Sequence, residues 1–279
     1  MTAIMNGIGV ILLLLAAVTA VSAFTSSSCY SIISQKQNTK YYQNQSHRRL
    51  QSTYADYSDT TPTQLIDIDE EAPRDIPSME QWAEYQGAQR TDGYTITSTD
   101  GWDYYAITST DLPTGSPVIT VPEHMILSSN KAMEELRSPE MSEAEKIITS
   151  VNAESEFRQY YLMLKLLVEY EKGPNSPWYA WLNSLPRYYT NAASMTPFCC
   201  LCLPSLMRKL TVQERGFQQR LGVSSIKLVP FLNDDTKYDV DLCTWVYQIV
   251  YTRSFESGDG DLRIVPLADV SIEYFIILY

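Results

Sequence analysis

An arginine stands where an apolar stripe should continue. Leu242, Trp245, Val246, Ile249 and Val250 recur at helical spacing, and the next position on that face is Arg253. A guanidinium on a buried face is costly unless it is paired. It needs a carboxylate, a cluster of backbone carbonyls or an anionic ligand. The other reading is a snorkelling side chain at a helix C-terminus, where a cation also suits the helix dipole. At the level of the sequence both readings stand.

Other chemistry-bearing residues are few. His47 and His124 are the only histidines, too few for a His-rich metal site and poor material for a His-based triad. The cysteines are Cys29, Cys199, Cys200, Cys202 and Cys243, an odd, low number that builds no disulfide framework. Cys199-Cys200-Leu201-Cys202 invites a metal or redox reading, but its spacing does not suit a paired zinc site. Pro197 and Pro204 bracket it as a short apolar loop of structural cysteines. The acid pairs Asp234-Asp235 and Asp259-Gly260-Asp261 read as solvated turns, because a divalent cation needs more converging ligands. No phosphate-binding Gly loop, zincin helix or nucleophile elbow is present, and no metal is expected.

The elements that must position these residues follow from patterning. Ser78 with an acid behind it opens a helix, Trp82 and Tyr85 face inward, and Gly87 ends it. Residues 94–97, 104–108 and 118–121 are strand-like, with Leu112-Pro113-Thr114-Gly115 as a turn, so residues 94–122 predict a small antiparallel sheet. Ser142 to Glu145 fits a capping box. Phe157, Tyr160, Tyr161, Leu164, Leu167 and Val168 form a helical core face closed by Gly173-Pro174. Ser176-Pro177 opens a further helix bearing Trp178, Trp181, Leu182 and Leu185. The Arg253 stripe predicts a last helix over residues 240–255.

At 279 residues and 44% hydrophobic, the chain has material for a real core. Its 21 Lys and Arg against 33 Asp and Glu give a net charge of -12, which argues against a general nucleic-acid binder. Residues 1–55 carry Lys36, Lys40, Arg48 and Arg49 but no acid. The apolar run from Ile8 to Ala23 is shorter than a membrane span and ends in Val21-Ser22-Ala23, so residues 1–23 read as a signal peptide and no stable span is expected after processing. Residues 24–55 read as a transit-like leader. With Phe24 at the junction, the order resembles the bipartite plastid-import signal of algae with complex plastids. That implies the plastid stroma, with the secretory pathway as the alternative. Residues 56–77 are acidic and proline-bearing and predict a linker, with the folded part over residues 78–279.

Three blocks in order carry a family resemblance. The first runs from Gln81-Trp82-Ala83 and Gly87-Ala88 through Asp100-Gly101-Trp102 to Val121-Pro122. The second is residues 176–186, from Ser176-Pro177-Trp178 to Leu185-Pro186. The third is residues 244–255 with Val265-Pro266-Leu267-Ala268-Asp269. Together they resemble the SET-domain protein-lysine methyltransferases of the Rubisco large-subunit methyltransferase type. The resemblance implies an α+β fold of SET-like small β-sheets with a large helical insert over about residues 130–235, incomplete at its C-terminal end. It implies S-adenosylmethionine as cofactor, lying against Asp100, Gly101 and Trp102, with Arg253 reaching its carboxylate and Asp269 beside the pocket. The partner would be a protein with a target lysine, such as Rubisco large subunit or another stromal enzyme.

The departures are as definite as the matches. Asp103 stands where the family has a second loop Gly, so a crowded loop is expected there. The family's Asn-His motif, catalytic Tyr and C-terminal substrate domain have no counterpart after Asp269. Val270-Ser271 can be encoded by GTAAGT, a common intron start, so a truncated form of a longer enzyme is expected, weakly active or inactive. No catalytic residue is assigned. The alternative is a non-catalytic SET-like fragment acting as a protein-binding or regulatory module.

Overall fold

The computed structural model describes residues 65–270. The expected signal peptide, the transit leader and residues 56–64 of the expected linker lie outside the described residues, as does the apolar tail beyond Val270.

Helix α1 spans Ile76–Tyr85. Its cap is Asp75, whose carboxylate accepts the Ser78 N–H at 3.1 Å, and Pro77 occupies the first turn. Ser78, expected as the cap, is therefore inside the helix. The buried face is Ile76, Met79 and Ala83; Trp82 is half-buried and Tyr85 is 88% exposed, so Tyr85 does not face inward as expected. Gly87 ends the helix with φ +90, as its type requires. The stretch before α1 is part of the fold rather than a linker from Leu65 onward. Ile66 and Ala72 are buried, and the Ile66 carbonyl accepts the Tyr170 hydroxyl at 3.1 Å.

The expected single sheet is two separate ribbons. β1 (Gln89–Arg90) pairs antiparallel with β4 (Ile119–Thr120). β2 (Tyr94–Ser98) and β3 (Tyr104–Thr108) form a hairpin in register from Tyr94↔Thr108 to Ser98↔Tyr104. The turn before β4 sits one residue later than expected: Ser116 N–H reaches the Pro113 carbonyl, and Gly115 takes φ +87. A third sheet has the order β5-β7-β6, from Leu127–Ser128, Leu262–Ile264 and Phe255–Glu256, all antiparallel.

Between β5 and β6 runs the helical insert. It begins with α2 (Ser129–Leu136) and α3 (Ser142–Thr149). Ser142 makes no capping bond, because α3 is entered through a 3-10 turn over Pro139–Met141. Helix α4 (Phe157–Glu171) is the centre of the core: Tyr160, Tyr161, Leu162, Met163, Leu164, Leu166 and Leu167 are all buried. After it come α5 (Tyr179–Ser184), α6 (Pro197–Cys202), α7 (Ser205–Gln219) and α8 (Asp234–Tyr238). The cysteine run is thus a short helix, not a loop, with Cys199 and Cys202 exposed and Cys200 buried. The insert leads into α9 (Val240–Arg253), capped by Asp239 through the Leu242 N–H and packed against α4. No helix among the described residues is long and apolar enough to cross a membrane.

One acid pair differs from its expectation. Asp234 and Asp235 do open a short helix at the surface, but Asp261 is 2% exposed. Its carboxylate accepts Ser128 Oγ, Ser129 Oγ, the Asn130 N–H and Arg263 Nε, all within 2.8–2.9 Å. It ties the start of α2 to β7 and is a structural joint.

Candidate functional site

Arg253 ends α9 and is 2% exposed, so the snorkelling reading does not hold. Its NH1 donates to the Asp269 carbonyl at 3.0 Å and to Asp269 Oδ2 at 3.3 Å. The carboxylate and carbonyl that the stripe argument required come from one residue. Asp269 is itself 1% exposed, and its Oδ2 also accepts Trp181 Nε1 at 3.0 Å from α5. Helix α5 is held by Ser176, whose hydroxyl donates to the buried Glu169 of α4 at 2.7 Å. The turn that delivers Asp269 contains Leu267 at φ +70, a conformation that costs a non-glycine residue about 1–2 kcal/mol. The second carboxylate oxygen of Asp269, Oδ1, is buried and meets no hydrogen-bond donor among the described residues. A buried, unsatisfied carboxylate oxygen is suited to a ligand's N–H or O–H.

The hairpin tip between β2 and β3 is a self-contained turn. Asp100 Oδ1 accepts the N–H groups of Trp102 at 2.8 Å and Asp103 at 2.9 Å, and Ser98 Oγ accepts the Gly101 N–H at 2.8 Å. The Asp103 and Trp102 N–H groups hold the Asp100 carboxyl below the usual carboxylate range. Gly101 takes φ +82, where glycine is required. The left-handed non-glycine residues among those described are Asn152 and Leu267, so Asp103 occupies the expected second-glycine position without that backbone strain. The loop's N–H groups face its own side chains, and Trp102 is 52% exposed.

Arg74 joins this loop to the buried pair's side of the molecule. Its NH1 donates to the Trp102 carbonyl at 2.9 Å and its Nε to the Ser184 carbonyl at 2.7 Å, with the guanidinium 4.9 Å over the Tyr104 ring. Tyr189 lies within electrostatic reach of both Arg253 and Arg74. Burial pushes its hydroxyl pKa up, and the two cations oppose that rise. Thus Arg253 and Asp269 are brought into direct contact, whereas the Asp100–Trp102 turn is connected toward them through Arg74 and Tyr189. Sequence reasoning missed Arg74 and Tyr189. Arg74 had one signal, as the only base in the acidic stretch 56–77; Tyr189 had none.

No protein-family model matches the sequence, and no curated protein matches it. Solved structures do. Rubisco LSMT bound to AdoMet superposes with a TM-score of 0.54 at 17% identity, over 71% of this chain and 44% of that one. The SET domain of LSMT bound to lysine and AdoHcy gives 0.54 and 17%, over 70% and 43%. Rubisco LSMT bound to sinefungin and monomethyllysine gives 0.54 and 14%, over 71% and 44%. The chain has the SET-domain fold. It spans less than half the length of these solved chains. In this SET fold the small sheets are β1 with β4, β2 with β3, and β5-β7-β6, and the helices from α2 to α8 are the insert. No group of His, Cys, Asp and Glu among the described residues could hold a metal ion.

Proposed function

We propose that this chain carries the cofactor side of an S-adenosylmethionine-dependent protein-lysine N-methyltransferase. The supporting observation is the buried Arg253–Asp269–Trp181 cluster with its open carboxylate oxygen, in a fold similar to solved structures bound to AdoMet, lysine and methyllysine. The cofactor would supply an electrophilic methyl group for in-line transfer to a neutral lysine amine. The chain's own residues bind and orient. Arg253 offers a guanidinium to a ligand carboxylate. Asp269 Oδ1 accepts a proton donor, and Trp181 fixes that carboxylate through Oδ2. The hairpin tip at Asp100, Gly101 and Trp102 forms a rigid wall braced by Arg74. Such work is positioning rather than acid–base catalysis.

One observation favours a second reading. Arg253 already has a carboxylate and a carbonyl from Asp269, so an incoming carboxylate must share or displace them. A non-catalytic SET-like binding module needs no such exchange. Calorimetry with S-adenosylmethionine on the full chain and on Arg253→Ala separates the two. Binding abolished by the substitution, with circular dichroism unchanged, supports the enzyme reading. No binding by the folded chain supports the module.

Plastid delivery by residues 1–55 is part of the same proposal, tested by the destination of a fluorescent fusion. The substrate is read as a stromal protein lysine, with Rubisco large subunit or another stromal enzyme as the candidate. Transfer of labelled methyl to a stromal extract tests that.

A further inference from the structure

Cys199 and Cys202 are both exposed and stand three residues apart on α6, while Cys200 is buried. The start of α6 is fixed by Thr196, whose Oγ1 accepts the Cys199 N–H at 3.2 Å, with Pro197 in the first turn. Its end tightens: the Leu203 N–H bonds the Cys200 carbonyl, three residues back, at 3.3 Å. Residues three apart on a helix are neighbours on one face with Cβ atoms about 5–6 Å apart, and a disulfide needs about 4 Å, so closure requires this short helix to tighten by about 1–2 Å. The two exposed thiols are therefore on one side of a single turn. Cys200 is turned away, with its sulfur 3.7 Å from Arg215 NH1.

The sequence around this turn is poor in acid. Between Glu171 and Glu214 the sequence has no acid, yet it carries Lys172, Arg187, Arg208 and Lys209 in a chain of net charge -12. Arg208 reaches back from α7 and donates to the carbonyls on either side of Cys202, Leu201 at 2.8 Å and Leu203 at 3.0 Å. A cation near an exposed thiol steers anionic reagents to it.

We propose that Cys199 and Cys202 form a reversible dithiol–disulfide site that exchanges with an anionic low-molecular-weight disulfide such as glutathione disulfide. One cysteine thiolate attacks a sulfur of the small disulfide, whose S–S bond breaks to release one small thiol. The other cysteine thiolate then attacks the protein sulfur of the mixed disulfide and releases the second. The two protein thiols are oxidised to one disulfide, the small disulfide is reduced to two thiols, and the two cysteine protons pass to the departing thiolates. Cys200 and Cys243 are buried and take no part.

The test uses the full chain in glutathione buffers of stepped oxidation, quenched by alkylation and mapped by mass spectrometry after cleavage at Arg187 and Arg208. The expected result is that the peptide holding Cys199, Cys200 and Cys202 loses two of its three alkyl groups under oxidation and regains them in dithiothreitol. Cys200→Ser should leave the disulfide intact. Cys199→Ser and Cys202→Ser should each retain one glutathione on the remaining exposed cysteine. Three alkyl groups kept at every ratio, a bridge through Cys200, or a bridge between two chains each overturn the proposal.

Discussion

Arg253 and Asp269 make a buried ion pair whose halves depend on each other. Removing one partner leaves an uncompensated charge, so Arg253→Leu should cost about 3–5 kcal/mol in urea unfolding. The double variant Arg253→Leu with Asp269→Leu should recover most of that loss, because a buried pair is of little net worth against apolar side chains. Both variants should fail to bind S-adenosylmethionine, which separates a folding role from a binding role. Asp261 gives a pH signature. Burial alone would raise its carboxyl, but Arg263 and the donors from Asn130, Ser129 and Ser128 outweigh it and hold it at about 2. An unfolded aspartate titrates near about 3.9, so the carboxylate contributes about 2–3 kcal/mol. That contribution is complete above pH ~4 and lost as the pH falls through ~2. Urea midpoints measured down this range should fall more steeply for the native chain than for Asp261→Asn. At this scale the sequence was half legible. An arginine on an apolar stripe announced that it needed a carboxylate, backbone carbonyls or an anionic ligand, but periodicity within α9 says nothing of a residue 16 positions away. Asp261 was misread because its neighbours Asp259 and Gly260 are turn residues, and the serines that bury it come from the far end of the insert.

Elements were legible where one face decides them. Helices α4 and α9 were recognisable from their aromatic and aliphatic spacing, and the β2–β3 hairpin from its β-branched and aromatic runs. Element starts were less so. Ser78 and Ser142 have good cap chemistry, yet Asp75 and a 3-10 turn take those roles, because packing of Ile76 and Met141 sets where each helix begins. Sheet partners were not legible at all for two-residue strands such as β1 and β4, whose pairing depends on where the intervening hairpin returns the chain. The hairpin's base is a point of control. Gly93 has φ +79, and a Cβ there would meet Ser109 Oγ at 2.5 Å. Gly93→Ala should therefore cost about 1–2 kcal/mol, read as a lower unfolding midpoint, and weaken cofactor affinity with it by loosening the Asp100 turn.

For the whole molecule, composition pointed to a domain with a real core but misjudged its edge. Acid and proline content made residues 65–77 look like solvated chain, whereas buried Ile66 and Ala72 and the bonds of Arg74 dock it. Ile66→Ala should lower stability by about 2–4 kcal/mol, a loss that thermal unfolding would register and that a true linker would not show. The Asp261 joint also bears on how the chain reaches this state. Its bonds to Ser128 and Ser129 bridge 133 and 132 residues, and closing so long a loop costs roughly 4 kcal/mol in chain entropy. The insert can assemble from local contacts before that closure is repaid, so the β5–β7 pairing belongs late in folding. Substitutions at Asp261 or Ile264 should then speed unfolding and leave the refolding rate almost unchanged, whereas truncations in α4 should slow refolding. A stopped-flow chevron series would tell the early half of this molecule from the late one.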